Sequence, residues 1–151
     1  MRLLSLWLHL LAAVVWLGGL LFQSHVLLPA LGKSALVASG ARVLRKARPV
    51  AWVAVVVLVV TGLHNLTRLS LSVLTETRVG RLLALKLLLV IVALMLSAHR
   101  DFGLVSRLAR ELEAGRDGAR QLRVIAWMDR VVILLGAAAL YLGLAISRGG
   151  Q

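Results

Sequence analysis

Four histidines are the side chains of this sequence best suited to bind a metal or a haem: His9, His25, His64 and His99. A neutral imidazole ligates copper and also serves as an axial ligand of haem iron. The sequence has no cysteine, so thiolate ligands, disulfides and cysteine nucleophiles are excluded. It also has no nucleophile–base pair, glycine-rich phosphate loop or carboxylate dyad, which sets aside hydrolase and kinase chemistry.

The elements that must position these histidines are membrane-spanning helices. Apolar residues make up 60% of the 151 residues, and the mean hydropathy is +0.92. A hydrocarbon core about 30 Å thick requires a helix of about 20 apolar residues. Stretches of this kind run over residues 3–28, 49–66, 82–98 and 124–146. We therefore predict an all-α integral membrane protein, a single domain (residues 1–151) folded as an antiparallel four-transmembrane-helix bundle.

The first stretch is not expected to be a cleaved secretory signal. It is longer than the apolar region of such a signal, which is usually about 7–15 residues, and no small-x-small cleavage site follows it.

The formal charge of +12 is distributed as membrane proteins distribute it. Basic residues are concentrated between the first and second stretches and between the third and fourth: Lys33, Arg42, Arg45, Lys46, Arg48, Arg100, Arg107, Arg110, Arg116, Arg120 and Arg123. The positive-inside rule then places both connections in the cytoplasm and both termini outside, in a bacterial inner (plasma) membrane. We expect these loops to contact anionic lipid headgroups and not nucleic acid.

The two basic connections are predicted to be solvated. Residues 32–48 are predicted to form an interfacial helix. Residues 101–123 are predicted to extend the third helix and to turn near Gly115 or Gly118. Three tryptophans are expected to anchor the bundle at membrane interfaces: Trp7, Trp52 and Trp127.

Two of the histidines are predicted to share an outer site. His9 and His64 lie near the outer ends of the first two spans, each roughly 6–9 Å below the boundary at a rise of ~1.5 Å per residue. We predict that they bind copper or haem together, with Lys86 at the same depth on the third span. Thr61 and Asn65 are the neighbouring donors, and Trp16 is a further supporting candidate. As an alternative, Lys86 simply extends to the lipid headgroups.

The other pair of histidines forms a weaker candidate at the opposite boundary. By α-helical counting, His25 lies about 160° around its helix from His9. A second haem stacked in the bundle would need ligands on one face. We therefore expect His25 and His99 to be interfacial.

Small residues and one acid are predicted to guide helix packing. The small residues at which helices are expected to approach closely are Gly18, Gly19, Thr61, Gly62, Gly136 through Ala139, and Gly143. Asp129 is the only acidic residue inside a predicted span. It is expected to pair with Arg130 or with a basic residue of another helix.

Several short segments resemble the bacterial copper resistance protein D family. They are His9-Leu-Leu-Ala-Ala-Val-Val-Trp16-Leu-Gly18-Gly19 followed by Phe22 and Pro29, the basic stretch Arg45 to Arg48, Val60-Thr61-Gly62-Leu63, and Gly80-Arg-Leu-Leu-Ala-Leu-Lys86-Leu. They cover about two-thirds of the chain in the family's order. The resemblance implies a membrane role in copper uptake or homeostasis, with His9 among the residues involved.

A second group, the membrane protoporphyrinogen oxidases of the HemJ type, is also similar. Its resemblance lies in an early histidine of the first span and a lysine followed by a histidine in the third. His9, Lys86 and His99 would occupy those places, and the group is thought to bind haem b. This chain departs from it through Trp16-Leu-Gly18-Gly19 and the additional His64.

Three functional hypotheses follow. The first is copper homeostasis or transport through a histidine site, and the second is a haem b redox protein that exchanges electrons with a quinone or a porphyrin. Were the protein an enzyme, it would then be a haem-dependent membrane oxidoreductase. The third hypothesis is a small scaffold subunit without a cofactor. A homodimer or a larger membrane complex is compatible with all three.

Overall fold

The computed structural model describes residues 2–31, 37–67, 78–115 and 118–149. All regular secondary structure in these ranges is helical. Among the described residues, four spans are long and apolar enough to cross a membrane: Leu3–Ala30, Arg42–Leu66, Arg78–Leu112 and Ala119–Ile146. The predicted all-α class and the number of spans are therefore confirmed.

The spans are built from six α-helices and two π-helical turns. The α-helices are α1 (Arg2–Phe22), α2 (Leu28–Leu31), α3 (Val37–Leu66), α4 (Arg78–Ala98), α5 (Val105–Glu113) and α6 (Ala119–Gly149). One π turn, Gln23–Leu27, joins α1 to α2, and the other, His99–Leu104, joins α4 to α5. The first and third spans thus continue without a break through a wider turn.

The π turns change which side chains face inward. A π turn closes i→i+5 hydrogen bonds and so holds an additional residue. Side chains beyond it no longer follow the 100° spacing of an α-helix, which was the basis for the angle expected between His9 and His25. Both turns bury polar residues, namely Gln23 and Ser24 in the first and Arg100 and Asp101 in the second.

The connection before the second span is helical over its described residues. Residues 37–48 belong to α3, which continues through Pro49 as one helix to Leu66. The predicted helix is therefore present over residues 37–48, where it continues into the second span without a break. Its position at the membrane interface stays a prediction, and residues 32–36 lie outside the described part. The connection after the third span agrees with its prediction, since α5 extends that span and a turn follows at Gly115, whose φ is +71°. A positive φ is readily adopted by glycine alone.

Two apolar clusters form the interior. The larger contains Ala12, Ala13, Trp16, Leu20, Ala54, Val55, Leu58, Ala93 and Val132, and the smaller contains Leu28, Leu44, Val105, Leu108, Leu122 and Ile125. Large apolar side chains also cover the exterior, as at Leu134 and Trp127, which are 70% and 66% exposed. An apolar exterior around a tightly packed interior is what a bundle surrounded by lipid requires.

Glycines mark three close approaches between spans. A Cβ atom added at Gly136 would lie 2.5 Å from Leu17 Cδ2, one at Gly62 would lie 3.2 Å from His9 Cε1, and one at Gly143 would lie 3.0 Å from Lys86 Nζ. All three glycines are among the small residues at which a close approach of helices was predicted. The same prediction was wrong for Gly18 and Gly19, where an added Cβ would meet nothing within 4 Å because these glycines lie on an open face of α1.

Replacement of Gly136 by valine is expected to destabilise the bundle. The larger side chain would overlap Leu17, and overpacking of this kind typically costs about 1–3 kcal/mol of unfolding free energy. Unfolding of the detergent-purified protein, followed by circular dichroism, would measure the change. Gly18→Val is the matched control, because it adds the same atoms at an open position. Equal losses in the two variants would contradict the packing described for Gly136.

Candidate metal site

The ring of His9 is hydrogen-bonded to the second span. His9 Nδ1 lies 3.0 Å from Thr61 Oγ1. The Thr61 hydroxyl itself donates to the Val57 carbonyl, at 2.6 Å, and lies 3.2 Å from the Leu58 carbonyl. A hydroxyl has one hydrogen to donate, so a Thr61 that donates to the Val57 carbonyl accepts from His9, which favours the neutral tautomer with its proton on Nδ1. In that tautomer the lone pair of His9 is on Nε2, the nitrogen that could ligate a metal.

A second contact holds the ring from its side. Gly62 lies directly against the half-buried His9, and a Cβ there would lie 3.2 Å from Cε1 and 3.7 Å from Nδ1. One turn away, Ser5 Oγ donates to Asn65 Oδ1 at 2.9 Å. Ser5 and His9 are four residues apart on α1, as are Thr61 and Asn65 on α3. The two spans are therefore joined by two polar contacts one helical turn apart, and the side-chain oxygen of Asn65 is engaged by Ser5.

Lys86 approaches this site from the third span. Its side chain is half-buried and extends across Gly143 of α6, so that an added Cβ there would lie 3.0 Å from Nζ. The Lys86 ammonium lies within electrostatic range of the His9 ring. Across the described ranges, no acidic side chain forms an ion pair with Lys86. The half-buried imidazole is thus neighboured by a cation that has no acidic partner there.

The other three histidines are exposed. His64 lies one turn after Thr61 on α3, and it is Thr61 that contacts His9 Nδ1. His25 Nδ1 lies 2.7 Å from Ser24 Oγ and 3.2 Å from the Leu21 carbonyl. His99 packs beside Gly103 of its own span.

A chelating cluster of three or more ligands is not formed in the described ranges. No group of three His, Cys, Asp or Glu side chains comes together within them. A metal held there by histidine would therefore have one or two protein ligands of this kind.

Trp16 belongs to a different part of the bundle. It is 4% exposed, and seven residues, or about 10 Å of helix, separate it from His9. It lines a cavity of about 10 Å³ with Trp52, Ser97 and Arg100. That volume is about what one water molecule occupies, and it is far too small for a haem.

A buried ionic cluster lies beside this cavity, and we call it the Arg100 cluster. Arg100 Nη1 lies 2.6 Å from Asp101 Oδ1, and Arg100 Nε lies 2.9 Å from Asp129 Oδ1. Arg100 Nη2 donates to Asp129 Oδ2 at 3.1 Å and to Gln23 Oε1. Trp52 Nε1 donates to Asp101 Oδ2 at 2.9 Å. Each of the four spans therefore supplies at least one side chain to the cluster.

Only part of the Arg100 cluster was predicted from the sequence. Asp129 pairs with a basic residue of another helix, as predicted. Arg100 and Asp101 were expected in or beside a solvated connection, which is wrong, since each is 5% exposed. Trp52 was expected to be an interfacial anchor, and it instead bonds to Asp101. An acid buried inside a span needs a cation on a neighbouring span, and this need is the signal by which Arg100 could have been found.

Removal of the Arg100 charge is expected to destabilise the protein strongly. Arg100→Leu would leave Asp101 and Asp129 buried without their cation, and breaking a buried pair in this way typically costs about 3–5 kcal/mol of unfolding free energy. Arg110→Leu, an exposed position on α5, is the matched control. Chemical unfolding in detergent would compare the two variants. A loss for Arg100→Leu no larger than that of the control would show that the cluster contributes little to stability.

Comparison with known proteins agrees with the described architecture. The family model of copper resistance protein D matches residues 41–146, which are 106 of the 151 residues. The matched region includes His64, Lys86, Arg100 and Asp129, whereas His9 precedes it. Among curated proteins none matches significantly, and the same holds for solved structures. The chain is therefore a multi-pass membrane protein that belongs to the copper resistance protein D family.

Proposed function

We propose that this protein handles copper as its cargo at the site formed around His9. The observation that carries the proposal is the His9–Thr61 hydrogen bond, which supports a tautomer with the proton on Nδ1 and the lone pair on Nε2. Metal-binding histidines characteristically donate their other ring nitrogen to a neighbouring acceptor in this manner. Membership of the copper resistance protein D family makes copper the relevant metal.

The available donors suit copper better than the other common metals. Imidazole nitrogen is a good ligand for copper, and Cu(I) is stable with as few as two ligands. Structural zinc sites require four protein ligands and catalytic ones three, which exceeds what the described residues gather. We propose His64, exposed one turn from Thr61, as the second ligand.

Lys86 is proposed to weaken binding so that copper can leave. A positive charge beside the site repels a bound cation and therefore favours its release. A transport site must bind its ion well enough to capture it and weakly enough to release it. The absence of an acidic partner for Lys86 within the described ranges leaves its charge unbalanced there.

The bundle is proposed to be antiparallel, with both termini outside a bacterial inner membrane. The contact pairs Ser5–Asn65 and His9–Thr61 support the opposite directions of the first two spans, because residue numbers rise on one span as they fall on the other. The orientation is supported by the basic residues between the first and second spans and between the third and fourth. In this arrangement the His9 site faces outward.

Copper binding is expected to depend on His9 and its Thr61 partner. Purified protein should bind one Cu(I) per chain in competition with a chromogenic chelator. His9→Ala and His64→Ala should each lower the affinity at least tenfold. Thr61→Val, which preserves the side-chain shape, should lower it about 10–100-fold through loss of the second-shell hydrogen bond. Lys86→Gln should raise the affinity severalfold, because it removes a neighbouring positive charge.

Matched histidine variants separate this site from nonspecific binding. His25→Ala and His99→Ala should leave the affinity unchanged. Unaltered copper binding by the His9→Ala/His64→Ala double variant would exclude the site. An absorption spectrum of the same sample tests the rivals, since a haem Soret band lost in His9→Ala would favour the haem b protein. A chain that binds neither copper nor haem would favour the scaffold.

Topology reporters can determine on which side of the membrane each end of the bundle lies. A reporter fused after Gln151 and one inserted near Thr75 should report outside, because the segments near them carry few basic residues. A reporter inserted near Gly115 should report inside. An inside signal from the C-terminal fusion would reverse the proposed orientation and assign the His9 site to the cytoplasmic face.

A further inference from the structure

A groove of about 610 Å³ lies at the end of the bundle opposite the His9 site. Its apolar part is formed by Leu28 and Pro29 of α2 together with Ala126 of α6. Its basic part is formed by Arg123 and Arg130, with Trp127 between them. The groove therefore combines an apolar wall with two cations and an amphipathic aromatic ring.

Three of the residues that line the groove lie along one face of α6. Arg123, Trp127 and Arg130 are spaced i, i+4 and i+7, so they follow one face of α6 over about 10 Å. The Cα–Cβ bonds of a helix tilt toward its N-terminus, which directs Arg130 toward Trp127 and Arg123. Both arginines line the groove, one on each side of Trp127 along the helix.

Both arginines lack an anionic partner within the described ranges. Arg123 and Arg130 are exposed, and no described residue forms an ion pair or a side-chain hydrogen bond with either. Arg130 lies well inside the fourth span, Ala119–Ile146. An exposed charge at such a position is costly in lipid unless an anion or the interface compensates it. The adjacent Asp129 is committed to Arg100 and is 1% exposed.

We propose that this groove binds an anionic phospholipid. The phosphate accepts hydrogen bonds from Arg123 and Arg130, and an acyl chain lies over Leu28, Pro29 and Ala126. Basic pockets between membrane helices recognise lipid phosphates in this way, and Trp127, which is 66% exposed, fits the interface between headgroup and chain. The apolar wall favours a lipid over a free phosphate ion. This proposal does not depend on copper binding.

Native mass spectrometry of the detergent-purified full chain would test the proposal. Phosphatidylglycerol should bind as one retained lipid per chain, while phosphatidylcholine should be lost at the same activation energy. Arg123→Gln/Arg130→Gln should weaken phosphatidylglycerol binding about tenfold or more, since each arginine near the surface contributes to anionic-lipid attraction. Arg107→Gln/Arg110→Gln removes the same charge from exposed positions of α5 and should bind as the wild type does.

A second measurement uses the wild-type groove, so its result does not depend on whether the double variant folds. Phosphatidylglycerol with brominated chains should quench part of the wild-type tryptophan fluorescence, and Trp127→Phe should remove that part. Equal retention of phosphatidylglycerol in the two double variants, or equal binding of phosphatidylcholine, would overturn the proposal. Displacement of the lipid by inorganic phosphate at equal concentration would also overturn it, because the site would then be one for a free anion.

Discussion

The buried guanidinium of Arg100 is the constraint on which the arrangement of the four spans depends. A cation away from water is tolerated only when carboxylates and hydrogen-bond acceptors surround it. Asp101 lies next to it in the chain, whereas Gln23 and Asp129 come from the first and fourth spans. The second span joins through Trp52. Because these contacts need specific atoms within about 3 Å, the cluster allows few alternative registers of the spans.

The opposite half of the bundle is held by weaker and less buried contacts. There the spans meet through Ser5–Asn65, His9–Thr61 and the approach of Lys86 to Gly143. His9 is half-buried, so one nitrogen can be fixed while the other remains accessible. The molecule thus combines a buried ionic cluster at one end with a half-buried imidazole at the other. We infer that this division suits a protein that must both bind and release a metal ion.

Hydropathy alone was sufficient to predict the four spans, because the cost of polar backbone in lipid makes long apolar helices unavoidable. The need of Asp129 for a cation and the turn at Gly115 could also be predicted locally. The burial of Arg100 and Asp101 could not, because a π turn shifts side-chain directions and does not follow from composition. The open positions of Gly18 and Gly19 could not be predicted either, because small residues permit a close approach between helices without specifying which helix face is packed. Thr61 was recognised as a neighbour of His9, but its contacts with His9 Nδ1 and the Val57 carbonyl emerge only from the structure.

The central claim is that the Thr61 hydrogen bond leaves His9 Nε2 as a copper ligand. Nitrogen-15 NMR of the histidine-labelled protein tests it most directly, because Cu(I) is diamagnetic and the two ring nitrogens have distinct shifts in each tautomer. With His9 identified by its absence in His9→Ala, we predict a neutral ring protonated on Nδ1 and a shift of the Nε2 resonance when Cu(I) is added. A ring protonated on Nε2, or His9 resonances that do not move on addition of Cu(I), would contradict the claim.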